Sequence, residues 1–404
     1  MTAFEVVNIG FLPLTDCMFL AVAREKGFAL DQGIEMNLTK EQSWASIRDH
    51  MAVGHYDAAH MLAPMPIAFN AGLSPFSVPV IAPIALGLGG NAVTIGSSLW
   101  HEMKACGALP NVDAATNGAA LRSVLKHRKK MGARKIRFAV VHPFSGHNFE
   151  LRYWFSACGI DPDNDVEIII VPPPLMPEAL AAQRIDGFCV GEPWNSVAVG
   201  NGHGAIATTK SAIWRSSPEK ILGVQSEFAA KRPDTLNRLL RSIYEAARWC
   251  GDAQNRAELS QILASETYVG VPAAALHRAL NGDVEIELGQ TCEVADFFIP
   301  FDRAATFPWQ SHALWFYSQM VRWGQMIHTP ENLQIAKHAY RPDLYRLALE
   351  ETGAAIPSAN LKVEGALAVE TAVGSTGRLM LGPDGFFDNQ IFDPEKVSDY
   401  IKSF

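Results

Sequence analysis

Hydrogen-bond donors recur where the predicted strands of this chain end. Trp44 has an indole N–H, Asn91 has a side-chain amide, and His147 stands at the start of a predicted helix. Gly191 ends a predicted strand, and a glycine allows its backbone to approach a bound group closely. Helix N-termini present free N–H groups and partial positive charge, which favour anions. Each residue alone also fits an ordinary structural role, as does Lys220, but together they predict an oxyanion site.

Motifs for hydrolytic or metal catalysis are absent from the sequence. It contains neither GxSxG nor HExxH, and its 12 histidines are scattered. The 6 cysteines are far apart and show no CxxC or Cys/His ligand spacing, which argues against structural zinc and a disulfide framework. We therefore predict a protein that is not an enzyme and that uses no metal and no cofactor.

The composition is that of a globular protein with a sizeable core. The 404 residues are 48% hydrophobic and 19% charged, which predicts two to three domains. A net charge of −8 argues against direct binding of nucleic acid or membrane surfaces. The N-terminus resembles no signal peptide, and no apolar run approaches the ~20 residues needed to span a bilayer. These features predict a cytoplasmic location.

The stretch 185–195 is the centre of the predicted architecture, because it reads as a buried strand that turns into a helix at Glu192-Pro193. Residues 57–64 repeat its spacing, with an aspartate before the strand and a proline after it. Upstream of each copy, residues 6–15 and 137–145 also correspond. Ligands of open α/β sheets bind where strands end and helices begin. The repeat predicts two similar lobes that enclose a small ligand.

The predicted fold class is α/β, a two-lobed clamshell with a mainly helical C-terminal part. Lobe one begins with residues 1–95, and lobe two comprises residues 96–205. Residues 206–354 return to lobe one and are mainly helical. Residues 355–404 form an arm packed on the body.

Several motifs occur together along nearly the whole chain. They are Gly10-Phe-x-Pro-Leu-Thr-Asp16, Gln42-Ser-Trp44, Asp57-x-Ala-His60-Met-Leu-x-Pro-Met-Pro66, His147-x-x-x-x-Arg152-Tyr-Trp154, Val171-Pro-Pro-Pro174, Phe188-Cys-Val-Gly-Glu-Pro-Trp-Asn195, Pro218-Glu-Lys220, Ser311-His-x-x-Trp-Phe316 and Phe386-Phe-Asp388. In this combination the chain resembles the nitrate-binding branch of the type II periplasmic binding proteins, the family of nitrate and bicarbonate receptors. The resemblance implies the periplasmic-binding-protein fold for the predicted clamshell.

The resemblance also implies which residues contact the anion. They are Trp44, Asn91, His147, Pro173, Gly191 and Lys220. A glutamine is usual at the position of Asn91, and the shorter amide reaches less far. The bicarbonate receptors have an acidic residue, which helps to hold calcium, where this chain has Lys220. The lysine therefore predicts a monovalent anion, nitrate or nitrite, bound without metal.

The resemblance leaves three functions open. Because no signal sequence is evident, the first is a cytoplasmic nitrate/nitrite sensor that holds an RNA-binding antitermination protein until the ligand closes the lobes. The alternative is the substrate-binding component of a nitrate ABC transporter. The third is an enzyme on the same fold, like the pyrimidine synthases of thiamine biosynthesis, but their cysteine-rich cluster is absent from this sequence.

Overall fold

The computed structural model describes residues 4–75, 78–373 and 379–404. Residues 1–3, with which the predicted lobe one begins, therefore lie outside the described residues. The strands are β1 (Glu5–Phe11), β2 (Ile34–Lys40), β3 (Ala58–Leu62), β4 (Val80–Ala85), β5 (Leu88–Gly89), β6 (Asn91–Gly96), β7 (Ile136–Val140), β8 (Val166–Ile170), β9 (Gly187–Gly191), β10 (Gly204–Thr209), β11 (Lys220–Gln225), β12 (Asp283–Glu287), β13 (Gln290–Glu293), β14 (Phe298–Ile299), β15 (Thr371–Val373) and β16 (Leu379–Leu381).

The helices cover these strands and form most of the C-terminal half. They are α1 (Met18–Glu25), α2 (Phe28–Asp31), α3 (Trp44–Ala52), α4 (Met65–Asn70), α5 (Ser97–Ala105), α6 (Ala114–Lys130), α7 (Gly146–Ala157), α8 (Met176–Ala181), α9 (Trp194–Gly200), α10 (Lys210–Ile213), α11 (Ser226–Lys231), α12 (Pro233–Gly251), α13 (Arg256–Ala264), α14 (Ala273–Asn281), α15 (Gln310–Arg322), α16 (Pro330–Ala339), α17 (Pro342–Leu349) and α18 (Val397–Lys402). Within the described ranges, none of these helices is long and apolar enough to cross a membrane.

Two mixed sheets with the same topology confirm the predicted α/β fold with two similar lobes. The first has the order β2-β1-β3-β11-β4, and the second has the order β8-β7-β9-β6-β10. In each sheet the first three strands of that order are parallel, and the fourth is antiparallel to both of its neighbours. The strand–helix–strand repeat in the sequence therefore corresponds to two copies of one folding unit.

The repeated aspartates join the strands of each unit. The Asp57 Oδ2 atom accepts a hydrogen bond from the backbone N–H of Asn8 at 2.8 Å. The Asp186 Oδ2 atom accepts one from the backbone N–H of Arg137 at 2.8 Å. Each aspartate thus satisfies a donor of the neighbouring parallel strand just before its own strand begins. This requirement explains why the spacing of the two stretches recurs.

The second sheet extends from Asn91 to Thr209, beyond the predicted limits of lobe two at both ends. Residue 95 falls within β6, which pairs with β9 and β10, and residue 205 falls within β10. The chain crosses between lobes at Gly89 and Gly90, whose positive φ angles of 80° and 86° make a tight turn before β6. The alternation of side chains identifies a strand but not the sheet in which it pairs.

The C-terminal segment packs against the body. The ring of Phe386 stacks on Trp214 with centroids 4.6 Å apart. The Ser311 hydroxyl of α15 donates a hydrogen bond to buried Glu364 at 2.6 Å. These contacts attach Glu364 and Phe386, within the predicted arm 355–404, to the body; residues 374–378 of the arm lie outside the described residues.

Candidate anion-binding site

Serine caps place Trp44 and His147 in the first turns of their helices. Ser43 Oγ accepts a hydrogen bond from the Ser46 N–H at the start of α3, and Ser145 Oγ accepts one from the Asn148 N–H at the start of α7. Serine is a preferred N-cap because it satisfies an N–H that has no partner within the helix. Both helix starts lie at the strand ends of their lobes, as the sequence predicted.

Asn91 and Gly191 face each other across two strands. Asn91 begins β6, Gly191 ends β9, and the two are partners in the antiparallel register. A Cβ atom on Gly191 would lie 3.3 Å from Asn91 Oδ1 and 3.5 Å from Leu14 Cδ2. Residue 191 must therefore remain small for lobe one to approach this edge of lobe two.

Lys220 is fully buried at the start of β11. Its Nζ atom lies 2.5 Å from Glu219 Oε1 and 3.0 Å from Asp16 Oδ2. The same nitrogen is 5.5 Å from the centre of the Trp44 ring, a cation–π distance. The predicted cation thus belongs to the cluster, and two carboxylates compensate its charge.

The Glu219 carboxylate is the point on which the buried donors converge. It accepts hydrogen bonds from Asn91 Nδ2 at 2.7 Å and from Lys210 Nζ at 2.6 Å. His147 Nε2 lies 3.3 Å from its Oε1 atom. Together with Lys220, these contacts surround a planar group of one negative charge with two ammoniums, an amide and an imidazole.

The structure therefore brings together the predicted residues Trp44, Asn91, His147, Gly191 and Lys220. Pro173 is buried in a 3-10 turn, Pro173–Leu175, that follows β8. Because β8 corresponds to β2 in the repeated topology, Pro173 takes the place in lobe two that Trp44 takes in lobe one. Its contact with an anion stays a prediction.

Contacts between the lobes close the cleft beside this cluster. The Thr15 N–H of lobe one donates to the Glu192 carbonyl of lobe two at 2.8 Å. The Trp194 indole donates to the Pro13 carbonyl at 3.1 Å. Residues of the two lobes thus contact each other directly at the edge of the cluster.

Charge pairing determines the protonation of the buried groups. Burial would raise the pKa of Asp16, but Lys220 and His60 lower it to about 2. Burial likewise opposes the ionisation of Glu219, yet His147, Lys210 and Lys220 hold its pKa well below the usual value. Both carboxyls are therefore ionised at neutral pH.

Two further carboxyls in the vicinity behave in the opposite way. Burial raises the pKa of Glu150 to about 7, although Lys210 lies 2.6 Å away. Burial also raises the pKa of Glu192 to about 7. For His147, burial lowers the pKa to about 3, so its imidazole is neutral at physiological pH.

Some polar atoms of the cluster lack hydrogen-bond partners among the described residues. They are Trp44 Nε1, both ring nitrogens of His147, and Asn91 Oδ1. A buried polar atom without a partner is unfavourable unless something else satisfies it. The indole and imidazole thus retain capacity for an additional ligand.

Sequence reasoning missed the charged residues that surround the predicted donors. They are Asp16, His60, Glu150, Lys210 and Glu219. Asp16, His60 and Glu219 occur inside the motifs quoted above, in otherwise apolar stretches that contain few charges. Glu150 follows His147 by three residues on α7, a spacing that places both on one helix face. These patterns were available as signals.

In residues 4–75, 78–373 and 379–404, no group of three or more His, Cys, Asp or Glu side chains is arranged to hold a metal ion. A cavity of about 560 Å³ lies next to β14 and α12, away from the cluster. Arg303 is one of the residues that line it. Arg303 is paired with Asp296 at 2.6 Å.

Comparisons with known proteins agree with this fold. The NMT1-like family matches residues 4–264. The nitrate/nitrite binding protein NrtA of Synechococcus elongatus is 30% identical over 98% of this chain and 85% of its own length. The nitrate import ATP-binding protein NrtC of Synechocystis is 34% identical over 86% of this chain, which spans only 50% of that relative. The crystal structure of the periplasmic nitrate-binding protein NrtA from Synechocystis superimposes with a TM-score of 0.86, at 27% identity, over 99% of this chain and 98% of that one.

Proposed function

The chain belongs to the NMT1-like family, and we propose that it binds nitrate or nitrite between its lobes as the substrate-binding component of a nitrate transporter. The names of the relatives support this proposal. NrtA is a nitrate/nitrite binding protein, and NrtC is a nitrate import protein. The sequence alone ranked the transport role second, and the names of the relatives support it better than the sensor role.

One observation carries the proposal. Lys220, Asn91 and His147 converge on a buried planar monoanion, the Glu219 carboxylate, at distances of 2.5, 2.7 and 3.3 Å. Nitrate and nitrite are planar monoanions of similar size that only accept hydrogen bonds. A set of donors that surrounds a carboxylate therefore suits either ion. The unpartnered Trp44 indole adds a donor at the same place.

The strength of these contacts is sufficient for useful affinity. A hydrogen bond to a charged group contributes about 1.5–3 kcal/mol. Three or four of them, less the costs of ordering and desolvation, reach the ~8 kcal/mol that corresponds to micromolar binding. Because the donors come from both lobes, the anion stabilises the closed arrangement over any open one.

Isothermal titration tests the proposal directly. We expect saturable heat with nitrate and nitrite, with a dissociation constant of roughly 1 μM, and weaker or no heat with bicarbonate and sulfate. The discrimination follows from Lys220, which supplies a cation without a metal. No heat with either nitrogen oxyanion, or tighter binding of bicarbonate, would contradict the proposal.

The sensor role is a second proposal, and it rests on the sequence resemblance alone. In that role the protein is cytoplasmic, and its ligand-free form holds an RNA-binding antitermination protein. Closure of the lobes by nitrate would remove the surface that the partner binds, because a ligand shifts an equilibrium toward the state it prefers. The protein itself would contact no nucleic acid.

A pull-down of the antitermination protein distinguishes the two roles. The sensor role requires capture without nitrate and release at saturating nitrate. Equal recovery in both conditions, or no capture in either, would leave transport as the proposed role. Lys220→Gln is the matched control, because a sensor that cannot bind nitrate would retain its partner in both conditions.

A further inference from the structure

We propose that Glu150 takes up one proton when an oxyanion binds, so that this protein binds nitrate together with a proton. This inference rests on the proposed function, because it concerns the same site. Glu150 is not among the predicted anion contacts, and it acts here as the residue that adjusts the charge of the site.

The first step is the charge balance of the cluster. Lys210 and Lys220 are its cations, and Asp16 and Glu219 are its ionised carboxylates. All four side chains are nearly or fully buried. Counted over these four side chains and Glu150, the formal charge is zero when Glu150 is neutral and −1 when it is ionised. The His60 imidazole, 2.9 Å from Asp16, also faces the cluster. The lysines and carboxylates by themselves thus leave no surplus of positive charge for an added anion.

The second step is that the donors are already engaged. Lys220, Lys210 and Asn91 all contact the Glu219 carboxylate. Glu219 is also confined, because a Cβ atom on Gly146 would lie 2.5 Å from its Oε2 atom. An anion that shares these donors therefore adds a negative charge close to Glu219. Uncompensated charge in a buried site is strongly unfavourable.

The third step is the identity of the proton acceptor. Glu150 and Glu219 both lie 2.6 Å from the Lys210 ammonium, so the two carboxyls are close neighbours. Burial already raises the pKa of Glu150 to about 7, and an added anion raises it further. At pH 8 the free protein then has Glu150 mostly ionised, whereas the complex has it protonated. The proton comes from the buffer.

The other titratable groups around Glu150 and Glu219 are unsuited to take up the proton. Burial lowers the pKa of His147 to about 3. Burial raises the pKa values of Tyr340 and Cys189 above their usual values, so both stay neutral. Lys220 stays charged because Asp16 and Glu219 raise its pKa against the effect of burial. Asp16 has a pKa of about 2 and stays ionised.

The sign of the pH dependence follows by linkage. A group whose pKa rises on binding favours the complex below its pKa in the complex, and that advantage is lost as pH rises. We expect nitrate affinity to be nearly constant below pH 7. Above it, affinity weakens by up to tenfold per pH unit, because each complex must then take up a proton.

Calorimetry with nitrate in pairs of cationic buffers of different ionisation enthalpy, Tris and triethanolamine at pH 8 and Bis-Tris and imidazole at pH 6, counts the protons. At pH 8 the wild-type protein should take up close to one proton per nitrate, and at pH 6 close to none. Glu150→Gln should bind nitrate without proton uptake and with little pH dependence. Glu192→Gln is the matched control, because burial also raises the pKa of Glu192 but no charged group of the cluster contributes to that shift, so proton uptake should be unchanged.

The outcomes separate this inference from the function on which it rests. Wild-type binding with no proton uptake at pH 8 would overturn the inference and leave nitrate binding intact. Uptake that persists in Glu150→Gln, or disappears in Glu192→Gln, would show that another group takes the proton. If nitrate produces no heat at pH 6 or pH 8, the proposed function fails and the inference fails with it. Should Glu150→Gln not fold, the wild-type proton count still tests the inference, because a count of zero at pH 8 overturns it.

Discussion

Replacement of Lys220 by glutamate is expected to abolish nitrate binding and to lower stability by several kcal/mol. The change puts a third carboxylate next to Asp16 and Glu219, both of which contact the Lys220 ammonium. Removing one partner of a buried ion pair costs about 3–5 kcal/mol, because a charge is left without compensation. The nitrate dissociation constant is expected to rise more than roughly 1000-fold, since ~4 kcal/mol of attraction becomes repulsion. Calorimetry and urea unfolding measure the two effects.

A matched surface substitution separates the effect of burial from that of charge. Lys231 pairs with Glu227 on exposed α11, so Lys231→Glu makes the same change in net charge. Exposed pairs contribute little to stability because solvent screens them, and nitrate affinity should not change. If Lys220→Glu does not fold, Lys220→Gln tests binding without the added negative charge. Retained nitrate affinity in either folded variant would show that Lys220 has been misassigned.

Trp44→Phe is expected to weaken nitrate binding roughly 10- to 150-fold, the value of one hydrogen bond to a charged group. The indole N–H has no partner among the described residues, and the ring lies against His60 with centroids 5.3 Å apart. Phenylalanine retains most of the buried ring but removes the donor. The ligand-free protein therefore loses no hydrogen bond. Titration with nitrate and thermal unfolding without it measure the two effects.

Trp154→Phe is the matched control, with the opposite expectation. The Trp154 indole is also fully buried, but it donates to the Ala114 carbonyl at 2.8 Å. Its removal deletes a buried hydrogen bond and costs about 0.5–1.5 kcal/mol of stability, since the Ala114 carbonyl still accepts from Cys158 Sγ. Nitrate affinity should stay at the wild-type value. If Trp44→Phe leaves affinity unchanged or destabilises the protein as much as Trp154→Phe, the Trp44 N–H is not a ligand for the anion.

Local signals in the sequence were sufficient to predict the elements and the place of the site. The stretch 185–195 reads as a buried strand that turns into a helix, and it forms β9 and the start of α9, because an apolar run and a proline at a helix start are local signals. The repeated aspartates predicted two copies of one unit, since each must satisfy the backbone of a neighbouring strand. Trp44 and His147 could be placed at helix starts because a serine cap is a local feature.

Only the tertiary structure decided how the site is neutralised. Asn91 contacts Glu219 across 128 positions of sequence, and Lys220 contacts Asp16 across the first sheet. Such pairings depend on the order of strands in the sheets, which side-chain alternation does not encode. The same reason explains β6, most of which the predicted boundary at residue 95 assigned to lobe one although the strand pairs in the second sheet. The sequence thus determined which groups were available, and the packing of the two lobes determined that two lysines meet at least two buried carboxylates.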